Sequence, residues 1–154
     1  MYGHSLGGVN VASSMYEDRR FKAGIDIDGG AAGPVVNAGI DRPVLLVDGP
    51  KSTRAKLPDL QVFWTRLRGW HRDIALTGSG HATFTDFEFL IPQIAPLLHA
   101  TPDQVREEIG TIPPDRALAW QRAYPRAFFD LTLRHLGHLL DGPSRDYPEV
   151  AFIP

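Results

Sequence analysis

The residues best placed to do chemistry stand at the start of the sequence. Gly3-His4-Ser5-Leu6-Gly7-Gly8 fits the pattern Gly-x-Ser-x-Gly, in which a serine sits on a sharp turn between a strand and a helix. Such a turn strains the serine backbone, and glycines two residues to either side remove side chains that would collide there. A helix opening just after Ser5 would aim its N-terminus and the Leu6 N–H at the oxyanion formed when the hydroxyl attacks a carbonyl. The chemistry implied is acyl transfer. The plain alternative is a glycine-rich turn without chemistry, but small, helix-forming residues follow at Ala12, Ser13, Ser14 and Met15.

A serine hydroxyl is a poor nucleophile until a base takes its proton. Six histidines are available. His4 adjoins Ser5 and is expected to point elsewhere and serve packing. His71 precedes a predicted strand, at the wrong end of a parallel sheet. His99, His135 and His138 fall at helix ends, where surface or packing roles suffice. His81 alone lies in a glycine-flanked loop, Gly78-Ser79-Gly80-His81, directly after a strand, where parallel sheets place their ligands. An acid must then orient that histidine. Asp28 and Asp48 both end strands between Ser5 and His81, and spacing alone does not separate them. Asp26 shares a face with Asp28 one pair deeper and would need a buried partner.

These residues need a frame. Ala23–Ile27, Pro43–Val47 and Asp73–Thr77 read as short strands, and the second is a continuous apolar run suited to burial on both faces. Helices are predicted from Val9 to about Tyr16, over 58–68, over 84–98 with breaks at Pro92 and Pro96, and after the Thr101-Pro102 cap. A longer helix opens near Pro114, with Ala117, Trp120, Tyr124, Phe128 and Leu131 on one face and a kink expected at Pro125. The tail, 141–154, is expected to pack as an extended segment. Strands alternating with helices, without repeats, imply a single α/β domain with a mostly parallel sheet. With the serine turn, that is the α/β-hydrolase fold.

Bulk properties exclude other classes. The 154 residues carry 16 basic and 18 acidic side chains, so no basic excess points to nucleic acid. No stretch approaches the roughly 18 apolar residues of a membrane span. Without cysteine there are no disulfides, thiolate metal sites or thiol nucleophiles. Carboxylates and histidines lack metal-ligand spacing, and no Gly-Lys-Ser/Thr follows the early glycines, so neither a metal nor another cofactor is implied. Phe63, Trp64 and Trp70 could line a lipid-facing mouth, though core packing explains them as well. Gly29–Pro34 is a candidate pocket wall or a simple connection.

Three segments carry a resemblance: Gly3–Gly8; Asp18-Arg19-Arg20-Phe21-Lys22-Ala23-Gly24-Ile25-Asp26-Ile27-Asp28-Gly29; and Gly80-His81-Ala82-Thr83-Phe84-Thr85-Asp86. Together they resemble platelet-activating factor acetylhydrolases and, more closely, bacterial esterase and lipase relatives. Gly110–Ile112, Ala127–Asp130 and Asp141–Ser144 extend the likeness over most of the chain. The resemblance places the acid 23 residues after the serine, at Asp28, leaving Asp48 a structural or rim role. It implies Ser5 as nucleophile, His81 as base, and carboxylic esters, of short acyl chains or lipids, as substrates. It leaves compartment and partner chains open.

One departure shapes the expectation further. Only two residues precede Gly3, whereas an α/β hydrolase reaches its nucleophile after several strands and takes a second oxyanion donor from an earlier loop. The sequence thus reads as the C-terminal half of such a domain, residues 1–154 running from the serine turn to the C-terminus. The rival expectation is a piece that holds the right residues but is inactive by itself.

Overall fold

Side chains alternate across a strand, so a strand covered on both faces must be apolar throughout. The chain's clearest apolar run behaves this way. A computed structural model describes residues 1–154 and places β3 (Val44–Asp48) at the centre of one sheet. Its neighbours are β1 (Tyr2–His4) and β2 (Gly24–Ile27) on one side, β4 (His71–Leu76) and β5 (Val150–Ile153) on the other. The order follows the sequence, β1 to β4 are parallel, and β5 runs antiparallel to β4.

Two cores result. Ile25, Ile27, Leu45, Val47, Ile74 and Leu76 face one layer, where Ala117, Trp120, Tyr124 and Phe128 of α6 (Pro114–Arg134) cover them. Val44 and Leu46 face the other, packing with Val11, Ala12 and Met15 of α1 (Leu6–Glu17), Val35 of α2 (Val35–Ala38), and Leu60 and Phe63 of α3 (Pro58–Arg66). Beyond β4 come a 3₁₀ turn (His81–Phe84), α4 (Phe87–Ile94) and α5 (Pro102–Ile109). Thr101 and Gln104 cap α5 reciprocally, side chain to backbone in each direction.

Several boundaries differ from expectation. β4 begins at His71 rather than Asp73, because its first residues pair with Val44 and Leu45. α1 starts at Leu6, directly after the serine. α4 is shorter than 84–98 and contains Pro92. α6 runs its 21 residues through Pro125, since the buried face on Trp120, Tyr124 and Phe128 continues across it. The extended tail is a sheet strand: β5 pairs Val150 with Leu76 and Ile153 with Asp73. Phe63 is core, and Trp64 and Trp70 are half-buried packing residues.

Trp120 anchors the α6 layer, fully buried and in contact with the Phe84 and Tyr124 rings. Trp120→Ala is expected to cost about 3–5 kcal/mol in urea unfolding. Leu97→Ala, at a residue 80% exposed, should stay within about 0.5 kcal/mol.

Candidate active site

Parallel strands all end at the same rim, and four successive strand ends each deliver one side chain there. Ser5 follows β1 and holds the predicted strained backbone, φ 57° and ψ −124°. Its N–H continues the ladder by donating to the Ile27 carbonyl at 2.9 Å. The turn is tight: a Cβ at Gly3 would strike the Gly7 carbonyl and the Gly8 nitrogen. Gly7 itself borders open space, so the expected crowding two residues after the serine falls instead on Gly8. As the first residue of α1, Leu6 directs an N–H without an intrahelical acceptor towards the rim.

Asp28 ends β2 with φ 45°, its N–H bonded to the Val47 carbonyl at 2.9 Å. That left-handed residue turns its carboxylate along the rim. One oxygen, Oδ2, lies 2.5 Å from His81 Nδ1. The other, Oδ1, accepts from the backbone N–H of Ser52 at 3.2 Å and from the Ser52 hydroxyl. Ser52 belongs to the loop after β3, and Gly49 in the same loop leaves the space the carboxylate occupies. His81 Nε2 lies 3.0 Å from Ser5 Oγ. The result is a continuous chain, Ser5 Oγ to imidazole to Asp28 to Ser52, with the Asp28 side chain fully buried and that of His81 25% exposed. Such a chain can carry a proton from hydroxyl to imidazole while the acid fixes the ring's tautomer.

The loop carrying His81 is clamped from behind by a later part of the chain. The N–H groups of Thr111 and Ile112 both donate to the Gly78 carbonyl, at 2.7 and 3.1 Å. Ser79 bridges Gly110, and the Thr83 hydroxyl donates to the Ile109 carbonyl at 2.7 Å.

His4 does pack, but on the site itself. Its ring lies 4.5 Å from the His81 ring and 6.0 Å from that of Phe84. Burial, and then the charge of His81, hold its pKa below the usual imidazole value. Asp48 lies apart from His81. It is buried on the α3 side with Asp73, which pairs with Arg54 at 2.5 Å. Burial, reinforced by the Asp73 carboxylate, raises the Asp48 pKa. Arg54 also bonds the Pro154 carbonyl and lies 4.3 Å over the Trp64 ring. Gly29–Ala32 line a groove of about 390 Å³ with Val9 and Leu57–Asp59. Of the other histidines, His71 lies at the opposite end of β4, bonded to the Gly69 carbonyl at 2.7 Å. His138 pairs with Asp141 on the surface. Nothing in the residue pattern announces Ser52, or the His4 ring tilted against that of His81; Gly49, directly after a strand end, is the one available hint.

Residues 1–109 match the family described as platelet-activating factor acetylhydrolase, isoform II. The chain belongs to this family. Over 164 aligned residues it is 32% identical to a probable 1-alkyl-2-acetylglycerophosphocholine esterase of Arthroderma benhamiae, an alignment covering 99% of this chain and 42% of that protein. It is 27% identical over 111 residues to the platelet-activating factor acetylhydrolase of Cavia porcellus, covering 70% of this chain and 25% of that one. A ferulic acid esterase from Streptomyces cinnamoneus superposes with a TM-score of 0.86 at 36% identity, over 99% of this chain and 46% of its own. The chain thus spans less than half the length of these relatives. Its fold is that of the α/β hydrolases.

Within this platelet-activating factor acetylhydrolase-like frame, the two acids left open by spacing are separated in space: Asp28 touches His81 and Asp48 does not. A short Nδ1–H···O bond to a carboxylate deshields its proton. A far-downfield imidazole proton is therefore expected by NMR, lost in Asp28→Ala and kept in Asp48→Asn. Loss in Asp48→Asn alone would contradict this geometry.

Proposed function

We propose that the chain carries the nucleophile, base and acid of a serine esterase acting on carboxylic esters. The observation that supports this most is the unbroken bonding from Ser5 Oγ to His81 Nε2 at 3.0 Å and from His81 Nδ1 to Asp28 at 2.5 Å.

Ser5 Oγ attacks the ester carbonyl as His81 Nε2 takes its proton. Asp28 holds the tautomer with Nδ1 protonated and stabilises the imidazolium, without itself taking the proton. Negative charge gathers on the carbonyl oxygen, where the Leu6 N–H at the start of α1 is the donor this chain supplies. His81 returns the proton to the leaving alcohol, leaving an acyl-serine. Water, deprotonated by His81, then releases the acid and restores Ser5. Burial and the charge of His81 lower the His4 pKa, so a proton is held less readily on His4 beside that ring.

The substrate class follows the relatives. Their printed names specify an alkyl-acetylglycerophosphocholine ester and a ferulic acid ester. For this chain we assign lipid or short-chain acyl esters. The test is p-nitrophenyl acetate hydrolysis together with mass spectrometry after a fluorophosphonate probe. The adduct is expected on Ser5 and absent in Ser5→Ala. Asp28→Asn should lower kcat by about 10⁴, and Asp48→Asn should stay near the native rate. A folded chain that neither turns over the ester nor labels at Ser5 would falsify the reading.

A further inference from the structure

Asp26 takes no part in the chemistry above, yet it is almost wholly buried in the layer between the sheet and α1. The alternation of β2 explains the position: Ile25 and Ile27 face the α6 core, so Asp26 must face α1. Its surroundings are backbone. Gly30 donates its N–H to Oδ2 at 2.9 Å. Oδ1 has no hydrogen-bond partner and is enclosed by two glycines: a Cβ at Gly8 or at Gly29 would strike it. A Cβ at Gly29 would also strike the Ser5 carbonyl. The start of α1, the Ser5 backbone and the loop leaving Asp28 thus converge on one carboxyl group.

We propose that Asp26 is a positioning residue whose buried carboxyl group locks the loop carrying Asp28 against the turn carrying Ser5. This deepens the esterase reading and rests on it for its effect on rate. The ionisable groups bearing on Asp26 are both carboxylates, Asp28 on its own strand end and Asp48 on β3. Gly3 stands opposite it on β1, and the buried residues of α1 are Gly8, Val11, Ala12 and Met15, none of which titrates. Burial pushes its pKa up to about 8, opposed by the Gly30 N–H and, less strongly, the Gly29 N–H, and aided by the charges of Asp28 and Asp48. Ionisation would place a buried anion close against the Gly8 backbone and repel Asp28 from below. The lock should therefore hold at neutral pH and open as pH rises through about 8.

Asp26→Asn keeps an acceptor for Gly30 and cannot ionise. Asp26→Leu keeps the volume and leaves that N–H unpaired. Native kcat for p-nitrophenyl acetate is expected to fall above about pH 8, with KM little changed. The asparagine variant should hold its kcat through that range, and the leucine variant should lose on the order of 10-fold to 10²-fold at neutral pH. Two readouts need no turnover. Infrared difference spectra, native minus Asp26→Asn, should show a carboxylic-acid band that fades near pH 8. The downfield His81 proton should weaken over the same range in native chain only. An equal alkaline limb in native and Asp26→Asn, or no protonated carboxyl at position 26 at pH 7, overturns the proposal. If the band and the imidazole proton titrate together while no ester is hydrolysed at any pH, the proposal stands and the esterase reading falls.

Discussion

Parallel pairing between β1, β2, β3 and β4 is the constraint from which the site follows. When strands run the same way in register, every connection leaving a strand begins at the same rim, whatever its position in the sequence. Ser5, Asp28, Ser52 and His81 are separated by 23, 24 and 29 residues, yet each lies at or just beyond a strand end of this sheet. The ladder bonds from Ser5 to Ile27 and from Asp28 to Val47 extend the sheet one residue further, so the first two side chains leave backbone already fixed by neighbours. Positive φ at both residues turns those side chains along the rim rather than up or down the sheet. That backbone strain, of order 1–3 kcal/mol for each such residue, is offset by burial of the strands beneath.

Much of this was readable from residue types. The Gly-x-Ser-x-Gly spacing marked Ser5, the flanking glycines marked His81, and the apolar run at Val44–Val47 marked a strand covered on both faces, as it is. Apolar spacing at Ala117, Trp120, Tyr124 and Phe128 gave the buried face of α6 without error. Each of these features is local, and local patterns are what a sequence displays directly. The choice between Asp28 and Asp48 was not local. Both end strands, and they differ only in how the loops beyond them run in space; the family likeness pointed to Asp28 where spacing did not.

What escaped was set by distant pairing. Ser52 sits in a polar loop with nothing in its neighbours to distinguish it, and it matters only because that loop folds back over Asp28. β5 lies in a Pro- and Gly-rich tail and becomes a strand by finding the free edge of β4. Proline argued for a kink in α6 and for breaks at Pro92 and Pro96: α6 continues through Pro125 over its buried face, whereas α4 takes in Pro92 and ends before Pro96. His4 was assigned to packing correctly, but what it packs against was hidden by its adjacency to Ser5.

The fastening of the histidine loop gives the site a dependence of another kind. Besides local bonds to Leu76 and Thr83, the backbone of Gly78–Gly80 is held by Gly110, Thr111 and Ile112, some thirty positions later. Stiffness at the imidazole is therefore shared with the junction between α5 and α6. Any excursion that frees this junction frees the ring as well, so the two should exchange their amide hydrogens as one cooperative unit. Part of the imidazole's rigidity thereby comes from residues outside the chain that links it to Ser5 and Asp28.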